Sequence, residues 1–131
     1  MSHLYILVRR DLPAAQIAVQ AAHAAVEAAR SFLPAEQPHP HFVLCRVASE
    51  RELLAAADRL ERAGIRFSLF CEPDRANEAT ALATEALRAD RRAVLARYPC
   101  LTRSDLLSAS ESQDVPAPRG GPPGVLKGDV S

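Results

Sequence analysis

Residues 4–26 read LYILVRRDLPAAQIAVQAAHAAV, and this stretch decides the fold. Leu4, Tyr5, Ile6, Leu7 and Val8 form an unbroken apolar run rich in strand formers, the pattern of a strand buried on both faces. Arg9, Arg10 and Asp11 end it. The Ala-rich segment that follows, to about residue 30 or 32, has high helix propensity, with Asp11 placed to cap it and Pro13 suited to its first turn. Ile17, Ala21, Ala24 and Ala28 give this helix a slim apolar face, and Gln16, Gln20, His23 and Glu27 form a polar stripe beside it.

Working outward, the three prolines within residues 33–40 predict a surface loop. Residues 41–47 alternate, with Val43, Cys45 and Val47 on one side and Phe42, Leu44 and Arg46 on the other, which predicts a second strand. Ser49 followed by Glu52 is a capping-box pattern. Leu53, Leu54, Ala57 and Leu60 continue it at helical spacing until Gly64 supplies the stop. Ile65, Phe67 and Leu69 alternate with Arg66, Ser68 and Phe70 in a third strand, broken by Glu72 and Pro73. Residues 77–95 are ambiguous, because their composition favours helix while Thr80, Leu82 and Thr84 share one face of a possible strand. Residues 90–98 read as a helix. From residue 103 the chain is rich in Ser, Pro and Gly, which predicts a disordered tail over 103–131 after a folded domain over 1–102.

A chain of 131 residues fits one domain, and 48% hydrophobic with 24% charged residues is a globular balance. With 5% aromatics and no Trp, the core must rest on tightly packed Leu, Val, Ile and Ala. Sixteen basic residues against sixteen acidic ones leave no global field to attract a polyanion, so any nucleic-acid contact must be a local patch. The sole lysine is Lys127 in the tail, so the predicted domain has no ammonium group for chemistry. Cys45, Cys71 and Cys100 have no metal or CxxC spacing and read as reduced thiols. No apolar run is long enough to span a membrane, and LYILV is too short for a signal-peptide core, so the expected location is the cytoplasm.

The expected ligand crevice of an open α/β sheet lies beyond the carboxyl ends of its strands. There the sequence places Arg9, Arg10 and Asp11 after the first strand and EPDRANE, residues 72–78, after the third. An imidazole at His23 suits general-base work near neutral pH; a lone helix histidine also serves as a structural or solvent-facing residue. Glu72, Asp74, Arg75, Asn77 and Glu78 suit the positioning of water or phosphate, and equally a solvated loop. Arg88, Arg91, Arg92 and Arg97, with Arg9 and Arg10, suit a nucleic-acid backbone or a charged outer face. The chain has no P-loop, GxGxxG, GxSxG elbow or metal-ligand cluster, so nucleotide hydrolysis, dinucleotide redox chemistry and zinc catalysis lack support.

The opening stretch resembles that of the type-2 peptidyl-tRNA hydrolases, in which an apolar strand is followed by R-x-D-L and a helix bearing A-x-Q-x-x-H-A. Arg9, Asp11, Leu12, Gln20, His23 and Ala24 fit that pattern, and the later elements continue the similarity in order to about residue 98. The resemblance implies a single-domain α/β fold, a four-stranded mixed sheet flanked by helices, with residues 79–85 as a strand. It also implies hydrolysis of the ester between peptide and tRNA without a cofactor, with tRNA as partner. Of the candidate residues, His23, Glu72, Asp74 and Gln16 are expected at the reaction, and Arg9, Arg10, Asp11, Gln20, Arg75, Asn77 and Thr80 at substrate binding. The family's helix opens with Gly-Lys, and here Gln16 holds the lysine position; its D-x-G-x-T turn is replaced by Glu72 to Ala76. Those departures favour two rival readings, a non-catalytic RNA- or protein-binding relative and a hydrolase of another small substrate. A sheet with an unprotected edge also suits a homodimer.

Overall fold

The structure is a computed structural model, which describes residues 1–109. Its elements are β1 (His3–Arg9), α1 (Ala14–Phe32), β2 (His41–Val47), α2 (Glu50–Arg62), β3 (Phe67–Glu72), β4 (Glu78–Leu87) and α3 (Arg103–Ser108). The four strands make one mixed sheet in the order β2-β1-β4-β3. β1 pairs with β2 in parallel and with β4 antiparallel, and β3 also runs antiparallel to β4. The carboxyl ends of β1, β2 and β3 therefore share one rim with the start of β4.

β1 is central, as its unbroken apolar run demands: alternate residues enter opposite cores. Leu7 packs with Leu53, Leu60 and Leu82 under α2, whereas Leu4, Ile6 and Val8 pack with Ile17, Ala21, Ala24 and Ala28 of α1. Ala81 and Ala83 of β4 belong to the α1 side, so small side chains meet from helix and sheet and the two layers approach closely. On α2, Ser49 Oγ accepts from Glu52 N–H at 3.3 Å, while the Glu52 carboxylate reaches back to Ala48 N–H at 3.0 Å, one residue before the expected reciprocal partner. Gly64 ends this unit in the left-handed region at φ 75°, where a side chain would be strained.

β4 settles the ambiguous segment as strand, because its groups are paired on both sides, and it carries two irregularities. Ala79 faces Cys71 and Ala81 faces Phe70, so Thr80 is an extra residue opposite β3. Further on, the register against β1 slips around Thr84, whose Oγ1 accepts from Tyr5 N–H at 3.1 Å and donates to Glu85 C=O at 2.7 Å. That hydroxyl fills the gap in the ladder. Glu85 then accepts from the Arg66 backbone N–H at 3.0 Å and pairs with the Arg66 and Arg91 guanidinium groups.

Burial disfavours the charged form of Glu85, but these Arg66 and Arg91 contacts outweigh it and hold its carboxyl below the ordinary value of 4.5. A group with a lowered folded-state value stabilises the fold above its unfolded value and loses that contribution as pH falls through the folded one. Glu85→Gln is accordingly expected to cost about 1 kcal/mol at neutral pH, with the Arg66 side chain 65% exposed. Urea denaturation checks this: the gap to wild type should close as pH drops below about 4.5, and a gap that persists there would rule out the ionic origin.

Three sequence expectations are corrected. Asp11 does not cap α1; the cap position is Pro13, without a side-chain bond, and Asp11 instead binds Arg9. Residues 90–98 contain two short 3-10 turns, Ala89–Arg91 and Ala93–Leu95, rather than a helix, because Leu95 is anchored in the core and residues 99–101 lie along the outer edge of β2. The predicted tail begins too early, since Arg103–Ser108 forms α3 under a Thr102–Asp105 capping box. Ala109 C=O then accepts from Ala14 N–H at 3.1 Å, satisfying a free donor at the start of α1. The rest of the predicted tail, residues 110–131, lies outside the described residues.

Residues 99–101 close one sheet edge, with Cys45 and Cys100 as cross-strand neighbours. Cys45 is buried, and burial beside Cys100 pushes its thiol up to about 12; Cys71 and Cys100 are exposed. No helix among the described residues is long and apolar enough to cross a membrane.

Candidate active site

The polar stripe of α1 meets the β3–β4 turn at the shared rim. Gln20 is fully buried, and its amide is saturated. Its Nε2 donates to Glu72 Oε1 at 2.7 Å and to Gln16 Oε1 at 3.0 Å, and its Oε1 accepts from Thr80 Oγ1 at 2.7 Å. Both amide hydrogens are assigned by these contacts, which fixes the orientation of the group. Thr80 reaches Gln20 because it is the extra residue of the β4 bulge.

Glu72 also accepts from Asp74 N–H at 3.2 Å through Oε2, capping the 3-10 turn Pro73–Arg75. The hydrogen bond from Gln20, joined by the Asp74 N–H and by nearby His23 and Arg75, outweighs partial burial and holds Glu72 below the ordinary glutamate range. The turn closes through Ala76 and Asn77, both left-handed at φ 57° and 62°, and Asn77 N–H donates to Glu72 C=O at 3.0 Å. Asn tolerates that conformation; for Ala76 it costs roughly 1 kcal/mol. His23 is exposed and lies flat on Phe70, with ring centroids 4.4 Å apart and planes 4° apart.

A second cluster gathers around Arg9, a buried guanidinium. It grips Asp11 through Nε and Nη2 at 2.9 and 3.0 Å, Glu78 through Nη1 at 2.9 Å and Ala79 C=O at 3.0 Å. Arg75 also approaches Glu78, at 3.4 Å. Asp11 foremost, then Glu78, raise the Arg9 value against burial, and Arg9 in turn holds Glu78 low. This cluster ties the end of β1 to the start of β4 and so sets the base of the turn.

The sequence candidates thus separate. Gln16, Gln20, Glu72 and Thr80 form one network, with His23 beside it and Asp74 contributing its backbone. Arg9, Asp11, Arg75 and Glu78 form the structural clamp. Arg10 points to neither: it lines a different pocket with Arg46, Arg59 and Arg97. Of the expected basic face, Arg91 binds Gly64 C=O and Glu85 and Arg92 binds Tyr5 Oη, while Arg10 and Arg97 share one pocket. Sequence reading missed Glu50, which accepts from Ala79 N–H at 2.9 Å, and Phe70 as the platform for His23. Only contact across the fold reveals either. Among the described residues, no three His, Cys, Asp or Glu side chains converge as a metal site.

Fold and site together define an α/β protein with a mixed sheet and a polar cluster at its carboxyl rim, where a Gln-held carboxylate faces solvent. The family model described as Peptidyl-tRNA hydrolase PTH2 matches residues 2–91, and the chain belongs to that family. No curated protein matches the chain. The family match spans β1 to β4 and ends before the segment that covers the edge of β2.

Proposed function

We propose that the chain hydrolyses the ester joining a peptide to the terminal ribose of tRNA, with Glu72 as the water-positioning carboxylate. The single observation that carries this reading is the Gln20 amide, which holds Glu72 ionised at the rim while being itself anchored to Thr80.

Buried and exposed members have different tasks. Gln20 and Thr80 are fully enclosed and already paired, so they act as positioning residues. Glu72, Gln16 and His23 reach the surface. Water hydrogen-bonded to the Glu72 carboxylate attacks the ester carbonyl carbon and passes its proton to Glu72 as the new C–O bond forms. Gln16 accepts from Gln20 through its Oε1, which leaves its own amide N–H groups to donate to the developing oxyanion. Collapse breaks the bond to the ribose oxygen, which takes the proton back from Glu72 and leaves as the tRNA hydroxyl, with the peptide released as its acid. A neutral amide stabilises an oxyanion less than an ammonium does, so this site is a slower version of one with lysine at Gln16. His23, its face on Phe70, offers an imidazole edge to the same space, and Asp74, Arg75 and Asn77 border it.

The test is hydrolysis of N-blocked aminoacyl-tRNA by the full chain and by Gln16→Lys. Turnover by wild type, increased in Gln16→Lys, is the expected result. An absence of turnover in both would overturn the enzymatic reading and favour the non-catalytic one, in which saturable tRNA binding occurs without cleavage.

A further inference from the structure

Four arginines line a pocket of about 350 Å³ on the α2 side of the rim, apart from the Gln20 network. Arg10 follows β1, Arg46 lies on β2, Arg59 on α2, and Arg97 in the segment that leads to the covered edge; Tyr98 and Glu52 complete the polar lining. Their charge is only partly offset, by Glu52 in the lining and by Asp105 beside Arg46 and Arg10. Arg46 is paired with Asp105 at 3.2 Å, but among the described residues no carboxylate pairs with Arg10, Arg59 or Arg97. Glu52, the acidic lining residue, is turned to the Ala48 N–H.

Two of the cations, Arg46 and Arg59, are also held in place by hydrogen bonds. Arg59 donates to Tyr98 Oη at 2.8 Å, and the guanidinium carbons of Arg59 and Arg97 each lie 6.0 Å from the Tyr98 ring centre. Arg46 donates to Cys100 C=O at 2.9 Å, which locks it to the same segment. Ordering side chains before a ligand arrives lowers the entropy cost of binding. Like charges gathered from separate elements, three of the four without a carboxylate partner among the described residues, are unfavourable to the folded state unless an anion occupies the space.

We propose that this pocket binds a phosphate group. Guanidinium forks match phosphate oxygens in pairs, and three cations with no carboxylate partner among the described residues suit a doubly charged group with several oxygens better than a single carboxylate. The site stands on the pocket and its charge, and does not depend on the ester chemistry of the rim. Its source is either a nucleic-acid backbone or a free phosphate compound.

Calorimetric titration of the full chain at low ionic strength separates the two, using inorganic phosphate in one arm and a single-stranded RNA hexanucleotide in the other. Arg97→Ala is expected to weaken binding about tenfold in the arm that binds, and Arg10→Ala with Arg97→Ala further. If the source is nucleic acid, each removed contact also reduces the salt slope of RNA affinity by about one. Arg88→Ala, outside the pocket, should bind like wild type, and circular dichroism confirms that the variants are folded. Binding of either probe with this arginine dependence supports the proposal and assigns the source. Failure to bind both probes, or an equal loss in Arg88→Ala, overturns it. Because binding is read without cleavage, a chain that binds phosphate but hydrolyses no ester refutes the proposed activity and leaves this site standing.

Discussion

Glu72→Gln is expected to lower single-turnover cleavage of peptidyl-tRNA by about 10²- to 10⁴-fold, the range of a lost positioned acid–base group. The substitution keeps the size of the side chain and leaves an oxygen to accept from Gln20 Nε2, which now lies 2.7 Å from the carboxylate. It removes the charge and the basic oxygen that would take the proton of the attacking water. The loss should therefore fall on the rate at saturating substrate and leave substrate affinity nearly unchanged, with a modest loss of urea stability because the amide keeps only one of the two acceptors that bind Gln20 Nε2 and Asp74 N–H. A variant that cleaves as fast as wild type would remove Glu72 from the reaction and shift attention to His23.

The second large effect is on stability as well as rate. Gln20→Met is expected to destabilise the fold by about 1–3 kcal/mol, because a similar apolar shape cannot satisfy the buried Thr80 hydroxyl. The Phe70 carbonyl at 3.4 Å offers that hydroxyl only a long alternative. Adding Thr80→Val removes the orphaned donor, and the double variant should regain part of the lost stability, since replacing both partners with apolar groups is far less costly than removing one. Cleavage should not recover, because Glu72 still lacks the amide that orients it. Denaturation of the four proteins of this cycle checks the prediction; simple additivity of the two substitutions would show that Gln20 and Thr80 are not coupled.

The legible part of the fold was the part written locally. An apolar run without interruption made β1 central, and Ser49 with Glu52 fixed the start of α2. β4 was not legible from propensity, because ATALATEAL is mostly Ala, Leu and Glu, which favour helix, and becomes strand only through partners on both sides. Asp11 was misjudged for the same reason. A capping pattern is local, whereas the buried Arg9 that claims Asp11 is held by Glu78, 69 residues away. Residues 103–108 were assigned to the tail on composition, yet Asp105, buried against Arg46, and the contact of Ala109 with Ala14 tie them to the domain.

The proximity of the candidate residues was legible, and the contacts among them were not. Helical spacing put Gln16, Gln20 and His23 on one stripe, and the break after β3 identified Glu72. That Gln20 and Thr80 are enclosed, that Arg9 belongs to a clamp, and that Arg10 faces a separate basic pocket all follow from the bulge in β4 and from packing across the sheet. None of these is encoded in spacing along the chain.

The proposed chemistry needs a carboxylate that Gln20 keeps charged at the rim. Its most direct test is the pH dependence of kcat/KM for ester cleavage by the full chain. The account predicts that cleavage persists on the acid side until pH falls below 4.5, the ordinary glutamate value, and that Gln20→Met moves that limb upward. An acid limb at or above 4.5 in wild type, or one that Gln20→Met leaves in place, would contradict it.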